Sequence, residues 1–119
     1  MPMPNMFILY VSDAPASARF YSELFGMRPS FEDPGFVAFD LAGGVQLALR
    51  SGASGGLAPS RANELCLTLD GGAERIDRQF REWANKDVEV VEEPHDAVFG
   101  RTFVMSDLDG NLIRVAPVD

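Results

Sequence analysis

The sequence repeats one pattern twice, and this internal repeat limits the possible folds more than any other feature. Residues 6–11 and 64–69 are both short, strand-like segments that end at turn residues. A helix with an apolar stripe follows each segment, and three further strand-like segments follow each helix. We therefore predict an α+β protein built from two modules, each with the order strand, helix, strand, strand, strand (βαβββ).

The predicted elements place the two modules within a single domain that spans residues 1–119. Module 1 covers residues 5–50, module 2 covers residues 63–117, and the Gly- and Ser-rich residues 51–62 form a linker. The later strands are predicted near residues 27–33, 36–41, 44–50, 88–93, 101–106 and 111–116. The apolar stripes of the two helices comprise Ala14, Ala18, Tyr21, Leu24 and Phe25, and Ala73, Ile76, Phe80, Trp83 and Ala84.

Composition and charge exclude several classes of function. Hydrophobic residues make up 46% of the chain, which is enough for a globular core. Ten Lys and Arg residues against 18 Asp and Glu residues give a net charge of -8, whereas nucleic-acid binding needs a basic patch. No apolar run approaches the ~20 residues of a membrane helix, and the single cysteine cannot form an internal disulfide. We expect a cytoplasmic protein with neither a nucleic-acid nor a membrane partner.

Two motifs carry a resemblance to a known family. They comprise Val11-Ser12-Asp13 with Ser17, Phe20-Tyr21 and Leu24-Phe25-Gly26, and Phe99-Gly100-Arg101-Thr102-Phe103 running into Asp107-Leu108-Asp109-Gly110-Asn111. At matched places in the repeat, these motifs resemble the vicinal oxygen chelate superfamily of glyoxalases, ring-cleaving dioxygenases and bleomycin-resistance proteins. The resemblance implies a curled eight-stranded sheet around a pocket, with the helices on its outer face. Residues 107–111 are interpreted as a tight hairpin turn, because a calcium loop would need a distal Glu.

The resemblance also implies where metal ligands would lie. Metal-using members place one His, Glu or Gln on each of four strands, and the matching positions here are Met6, Ala48, Glu64 and Arg114. The second position follows from the internal repeat, and a shift of one residue would give Leu47 or Leu49 instead. Only Glu64 is a ligand for a hard divalent metal, since Met is soft, Ala has no donor and Arg is a cation. His95 lies in a predicted surface loop. We therefore predict no metal site and no cofactor.

Strand alternation predicts which side chains face the pocket. One face of each strand is apolar and is expected to pack under a helix, whereas the other face mixes polar and apolar residues. The predicted ligand-binding residues are Met6, Tyr10, Gln46, Ala48, Glu64, Phe99 and Arg114. Glu64 and Arg114 form either a charge pair that orients a polar ligand or a structural ion pair. For Tyr10, Gln46 and Phe99, ligand contact and ordinary packing both stay open.

Four further side chains receive structural interpretations. Phe36 and Trp83 are assigned to the core, and Arg50 to solvent at a strand end. Cys66 is interpreted as a small buried residue, since no histidine stands near it to form a nucleophile pair.

These observations predict a binding protein of the glyoxalase and bleomycin-resistance type. It would sequester a small, partly aromatic organic ligand without a metal ion, as a homodimer, and it would have no catalytic residue. Two enzymatic alternatives stay open. A metal-dependent lyase or dioxygenase would use ligands at other positions, and a metal-free enzyme would use Glu64 as a general base. A third alternative is an interaction module whose pocket is vestigial.

Overall fold

The computed structural model describes residues 2–51 and 63–118, which form two compact units, one on each side of residues 52–62. Apart from Ser51, the predicted linker 51–62 lies outside the described residues. Each unit contains one strand, one helix and three further strands, so the predicted α+β fold of two βαβββ modules is confirmed. Among the helices in the described ranges, none is long and apolar enough to cross a membrane.

Module 1 is a four-stranded mixed sheet with one helix. Its elements are β1 (Met6–Tyr10), α1 (Ala14–Phe25), β2 (Phe31–Asp33), β3 (Phe36–Asp40) and β4 (Gln46–Arg50). The strand order is β1-β4-β3-β2, in which β1 and β4 are parallel and the other pairs are antiparallel. A single 3-10 turn, Ala42–Gly44, joins β3 to β4. Consequently β1 is an edge strand of this sheet.

Module 2 repeats this topology. Its elements are β5 (Glu64–Leu69), α2 (Gly72–Ala84), β6 (Glu89–Ala97), β7 (Gly100–Ser106) and β8 (Leu112–Pro117). The order β5-β8-β7-β6 matches that of module 1, so the eight strands form two four-stranded sheets. The prediction for β6 was too short, and His95 lies in this strand rather than in a loop. Two register shifts against β7 interrupt the alternation that would reveal a strand in the sequence.

Capping residues mark both ends of helix α1. The Asp13 carboxylate accepts a hydrogen bond of 3.1 Å from the Ala16 amide, which satisfies one free donor of the first turn. Gly26 ends the helix in the left-handed conformation, at φ +64°, where a side chain would be strained. The buried residues that share this helix–sheet core include Ala18, Tyr21, Leu24, Val37, Phe39, Leu47 and Leu49. Burial of this apolar surface fixes α1 on its sheet.

Helix α2 packs through an aromatic cluster. The Phe103 ring on β7 lies 5.3 Å from the Phe80 ring and 6.0 Å from the Trp83 ring, centre to centre. The assignment of Trp83 to the core is therefore confirmed. The predicted stripe is wrong at both ends, because Ala73 and Ala84 are exposed.

The predicted hairpin turn between β7 and β8 is confirmed. The Asp107 carboxylate accepts hydrogen bonds from the amides of Asp109 and Asn111 and from the Asn111 side chain. Gly110 takes the positive φ, +89°, that the turn needs. Both carboxylate oxygens accept hydrogen bonds within the turn, so the role of Asp107 is to stabilise the turn.

Candidate functional site

The strand register divides the predicted ligand-binding residues into two groups, one in each module. In module 2, Phe103 packs against α2, so the residues beside it in β7 point to the opposite face of the sheet. Val104 is paired with Arg114, which places Arg114 on that opposite face. On β5, Glu64 and Cys66 lie on the same side as Arg114. We call the sheet face opposite α2 the distal face of module 2.

Arg114 is the centre of the distal face of module 2. Its Nε donates a hydrogen bond of 3.1 Å to Oε2 of Glu64, and its Nη1 donates one of 3.2 Å to Oγ1 of Thr102. The Thr102 hydroxyl in turn donates to the Val115 carbonyl oxygen at 2.8 Å. The structure thus brings together Glu64 and Arg114, which are distant in sequence, and it holds the guanidinium through two side chains.

Phe99 completes this cluster from the turn between β6 and β7. The guanidinium carbon of Arg114 lies 6.0 Å from the centre of the Phe99 ring, within the range of a cation–π contact. About half of Phe99 is exposed (53%). Within the described ranges, Arg114 keeps N–H donors that no side chain uses. An exposed ring can stack on an aromatic molecule while such an arginine donates to its polar groups.

Cys66 lies on the distal face of module 2, and the interpretation that it is buried is wrong. The residue is exposed, because β5 is the edge strand of its sheet and has a neighbour on one side only. Partial burial of the sulfur raises the pKa of the Cys66 thiol, the Glu64 carboxylate raises it further, and the Arg114 guanidinium lowers it. A raised pKa keeps the group as a thiol at neutral pH, which makes it a poor nucleophile.

The module 1 residues share the corresponding face of their own sheet. Met6 is paired with Gln46, and Tyr10 with Arg50, while Ala48 lies between Gln46 and Arg50 on β4. We call this face, which also carries Phe36 of β3, the distal face of module 1. Nε2 of Gln46 donates a hydrogen bond of 2.8 Å to Oδ1 of Asp40. Met6 is exposed, whereas Ala48 has no exposed surface and lies beneath its neighbours.

The sequence interpretation missed a second arginine–phenylalanine contact. The guanidinium carbon of Arg50 lies 5.1 Å above the centre of the Phe36 ring. The Phe31 ring meets Phe36 edge to face, with ring centres 6.2 Å apart. Phe36 is half-buried under this contact rather than a core residue, while Arg50 is exposed as expected. Strand alternation put Arg50 on the distal face, but only the register of β3 against β4 shows that it meets Phe36.

The residues at the implied ligand positions do not fit a divalent metal. Met6 and Ala48 offer no hard donor, and the carboxylate of Glu64 already accepts from the guanidinium of Arg114. Within residues 2–51 and 63–118, no group of three His, Cys, Asp or Glu side chains has the spacing of a metal site. The exposed His95 ring lies against its own strand, with Nδ1 2.8 Å from the Glu93 carbonyl oxygen.

A groove of about 520 Å³ lies along α1 of module 1, away from the residues predicted to bind a ligand. Its lining includes Pro15, Ala18, Arg19, Pro29 and Glu32. None of the seven predicted residues belongs to it, and it is wide open to solvent. The arginine clusters on the two distal faces are therefore the better candidates for a ligand contact.

Comparison with known proteins agrees with this architecture. The family model of the Glyoxalase/Bleomycin resistance protein/Dioxygenase superfamily matches residues 4–115. The phenazine antibiotic resistance protein EhpR of Enterobacter agglomerans is 39% identical over 98% of this chain and 92% of its own length. These two matches cover almost the whole chain.

Solved structures share the fold over the same length. A protein of Agrobacterium tumefaciens solved by NMR in solution is 32% identical, with a TM-score of 0.88 over 100% of this chain and 99% of its own. TnmS3, an antibiotic binding protein from Streptomyces sp. CB03234, has a TM-score of 0.76 at 24% identity over 99% and 98% of the two chains. At that identity, the likeness to TnmS3 concerns the fold alone. With both modules matched, this chain belongs to the glyoxalase/bleomycin resistance protein/dioxygenase superfamily.

Proposed function

We propose that this protein captures a small, partly aromatic organic molecule without a metal ion and without changing it chemically. The observation that carries the proposal is the Arg114 cluster on the distal face of module 2. There, Glu64 and Thr102 hold the guanidinium beside the half-exposed ring of Phe99. A planar ligand can stack on that ring while the unused N–H groups of Arg114 donate to its oxygen or nitrogen atoms.

The geometry of Arg114 favours binding over a purely structural ion pair. About a quarter of the Arg114 side chain and a third of the Glu64 side chain are exposed (24% and 37%). Ion pairs with this exposure contribute about 0.2–1 kcal/mol to folding, so stability alone explains little of the arrangement. The contacts with Glu64 and Thr102 already order the guanidinium in the free protein. It therefore loses less conformational entropy when a ligand binds, which favours affinity.

The similarity to EhpR supports an aromatic ligand. That relative is described as a phenazine antibiotic resistance protein, and it is 39% identical to this chain. Phenazines are flat, fused aromatic ring systems, which suit contact with an exposed phenylalanine and an arginine. We therefore propose phenazine-like molecules as the first ligands to test, with resistance by sequestration as the biological role.

The enzymatic alternatives receive less support from the residues present. A metal-dependent lyase or dioxygenase needs several hard ligands, and the implied positions hold Met6, Ala48, Glu64 and Arg114. A metal-free general base needs an apolar environment. The Glu64 side chain is instead partly exposed and paired with a cation.

Calorimetric titration with phenazine tests the proposal. We expect saturable binding to the wild-type protein and a loss of about tenfold in affinity for Arg114→Gln, which removes the charged donor. The control is Arg78→Gln, which changes the same kind of side chain at an exposed position of α2 in the same module. We expect it to bind like the wild type.

Two results would overturn the proposal. One is the absence of saturable binding across a panel of planar aromatic compounds. The other is equal affinity of Arg114→Gln and the wild type, with both proteins folded by circular dichroism.

We further propose that the protein is a cytoplasmic homodimer. Exposed apolar side chains on the edge strand β1, namely Met6, Phe7 and Ile8, support an association surface. Sedimentation equilibrium tests the assembly, since one chain has a mass of 13.0 kDa. A mass of twice that value is expected, and the mass of a single chain at micromolar concentration would contradict the homodimer.

A further inference from the structure

We propose that Arg50, Phe36 and Phe31 form a second ligand contact, which selects aromatic molecules that carry a carboxylate. We call these three residues the module 1 cluster. The inference rests on the proposed function, because it assigns a chemical class to the molecule that the protein captures. It uses residues of module 1 only, so its support is independent of the Arg114 cluster.

The module 1 cluster presents a cation on an aromatic base. The guanidinium carbon of Arg50 lies over the Phe36 ring, 5.1 Å from the ring centre. Phe31 extends the aromatic surface and is 55% exposed. A guanidinium has five N–H donors, and those not used by the protein can meet a carboxylate in a bidentate contact.

The charge of Arg50 has no carboxylate partner within residues 2–51 and 63–118. Of the three acidic side chains on β2 and β3, Glu32 lines the groove along α1, and the other two accept hydrogen bonds from other groups. Asp40 accepts from Gln46 at 2.8 Å, and Oδ2 of Asp33 accepts from the Gly35 amide at 3.2 Å. This contrasts with Arg114, whose charge is paired with Glu64 at 3.1 Å. An unpaired cation on an aromatic platform is complementary to an aromatic acid.

The location of Arg50 distinguishes it from Arg19 and Arg28, for which the described part of module 1 also shows no ion pair. Arg19 lies on α1 and Arg28 lies in the segment that follows α1, whereas Arg50 stands on the distal face beside Tyr10. The backbone of Arg50 is also held in place, because its carbonyl oxygen accepts a hydrogen bond of 2.9 Å from the Val11 amide. The net charge of -8 repels anions in general, so a local cation is what an acidic ligand would require.

A pair of closely matched probes isolates the charge. Phenazine-1-carboxylate and phenazine-1-carboxamide have the same ring system and nearly the same size, but only the first is anionic at neutral pH. Calorimetric titration of the wild type should give about tenfold tighter binding of the carboxylate, as expected for a charge-assisted, bidentate contact. Arg50→Gln should lose that preference and bind both probes with the affinity that the wild type has for the carboxamide.

Two further variants control for charge and for stacking. Arg28→Gln removes an exposed charge of module 1 outside the distal face, and it should keep the wild-type preference. Arg50→Lys keeps the charge but loses the planar fork, so it should keep only part of the preference. Circular dichroism and sedimentation of each variant establish that fold and assembly are unchanged.

The outcomes separate this inference from the proposed function. Equal binding of both probes by the wild type would overturn carboxylate selection and leave aromatic capture standing. An equal loss for both probes in Arg50→Gln would show stacking without charge recognition, which also overturns the inference. Failure of the wild type to bind either probe would overturn the proposed function and this inference together. A changed sedimentation mass of Arg50→Gln with unchanged affinity would assign the cluster to contact with a second copy.

Discussion

At Arg114, one guanidinium contacts a carboxylate, a hydroxyl and a ring from three different segments of module 2. Glu64 comes from β5, Thr102 from β7 and Phe99 from the turn before β7. The partners use two of the five N–H donors of the side chain. The other three donors have no partner within residues 2–51 and 63–118, and the proposed ligand would gain from a group that is already held in place.

The two charges beside Cys66 act on its pKa in opposite directions, which gives a test of the geometry. Burial and Glu64 raise the pKa of the thiol, and Arg114 lowers it. Glu64→Gln should therefore lower this pKa, and Arg114→Gln should raise it. The rate of alkylation by iodoacetamide follows the thiolate fraction, so its pH profile should shift to lower pH in the first variant and to higher pH in the second. Shifts in the same direction would contradict the arrangement.

Some residue-level features of the site can be predicted from the sequence, and others depend on register. The internal repeat and strand alternation are enough to place Glu64 and Arg114 on one face. The contact of Arg50 with Phe36 depends on how β3 pairs with β4 across the turn Ala42–Gly44. Likewise, the exposure of Cys66 depends on β5 being an edge strand, and edge position is set by strand order rather than by local pattern.

At the level of elements, the attachment of α2 to its sheet depends on the cluster around Phe103. This side chain has no exposed surface and meets both Phe80 and Trp83. Phe103→Ala should reduce the free energy of unfolding by about 3–5 kcal/mol, the usual cost of the cavity left by a buried phenylalanine. Urea denaturation followed by circular dichroism measures the change.

The control for this prediction is Phe31→Ala, which removes the same side chain from an exposed site of module 1. Phe31→Ala should reduce the free energy of unfolding by less than about 1 kcal/mol. Equal losses for the two variants would contradict the assignment of Phe103 to the core.

The β6–β7 turn requires a glycine at position 100. Gly100 has φ +121°, and a Cβ atom there would lie 2.7 Å from Cγ of Pro117, whose ring cannot rotate away. Gly100→Ala should therefore reduce the free energy of unfolding by about 3 kcal/mol, because it strains the backbone and displaces the neighbouring strand. Gly43→Ala is the matched control, because Gly43 has φ +76° with nothing within 4 Å of the added atom. Gly43→Ala should reduce the free energy of unfolding by about 1–2 kcal/mol. A larger loss for Gly43→Ala than for Gly100→Ala in urea denaturation would contradict the close approach of β7 and β8.

Element boundaries are predictable where capping residues mark them. Asp13 and Gly26 mark the two ends of α1, and the Asp107 turn marks the end of β7. The extent of β6 was not predictable, since two register shifts and Pro94 break the alternation that identifies a strand. The same two shifts explain why His95 was assigned to a loop.

For the whole molecule, the fold repeats one module, and the two copies differ in the side chains around their arginines. Both sheets have the same strand order, and each distal face carries an arginine against a phenylalanine. The arginine of module 2 is paired with Glu64, whereas the arginine of module 1 has no acidic partner within the described ranges. The repeat is readable in the sequence, but this difference in pairing is a property of the folded modules.

Calorimetric titration with phenazine, with and without a chelator, tests metal-independent capture most directly. The protein is first treated with EDTA, and the compound recovered afterwards is compared with the input by mass spectrometry. We predict saturable binding, the same affinity after metal removal, and recovery of unchanged phenazine. Binding that disappears with EDTA and returns with a divalent ion, or a chemically altered product, would contradict capture without metal and without reaction.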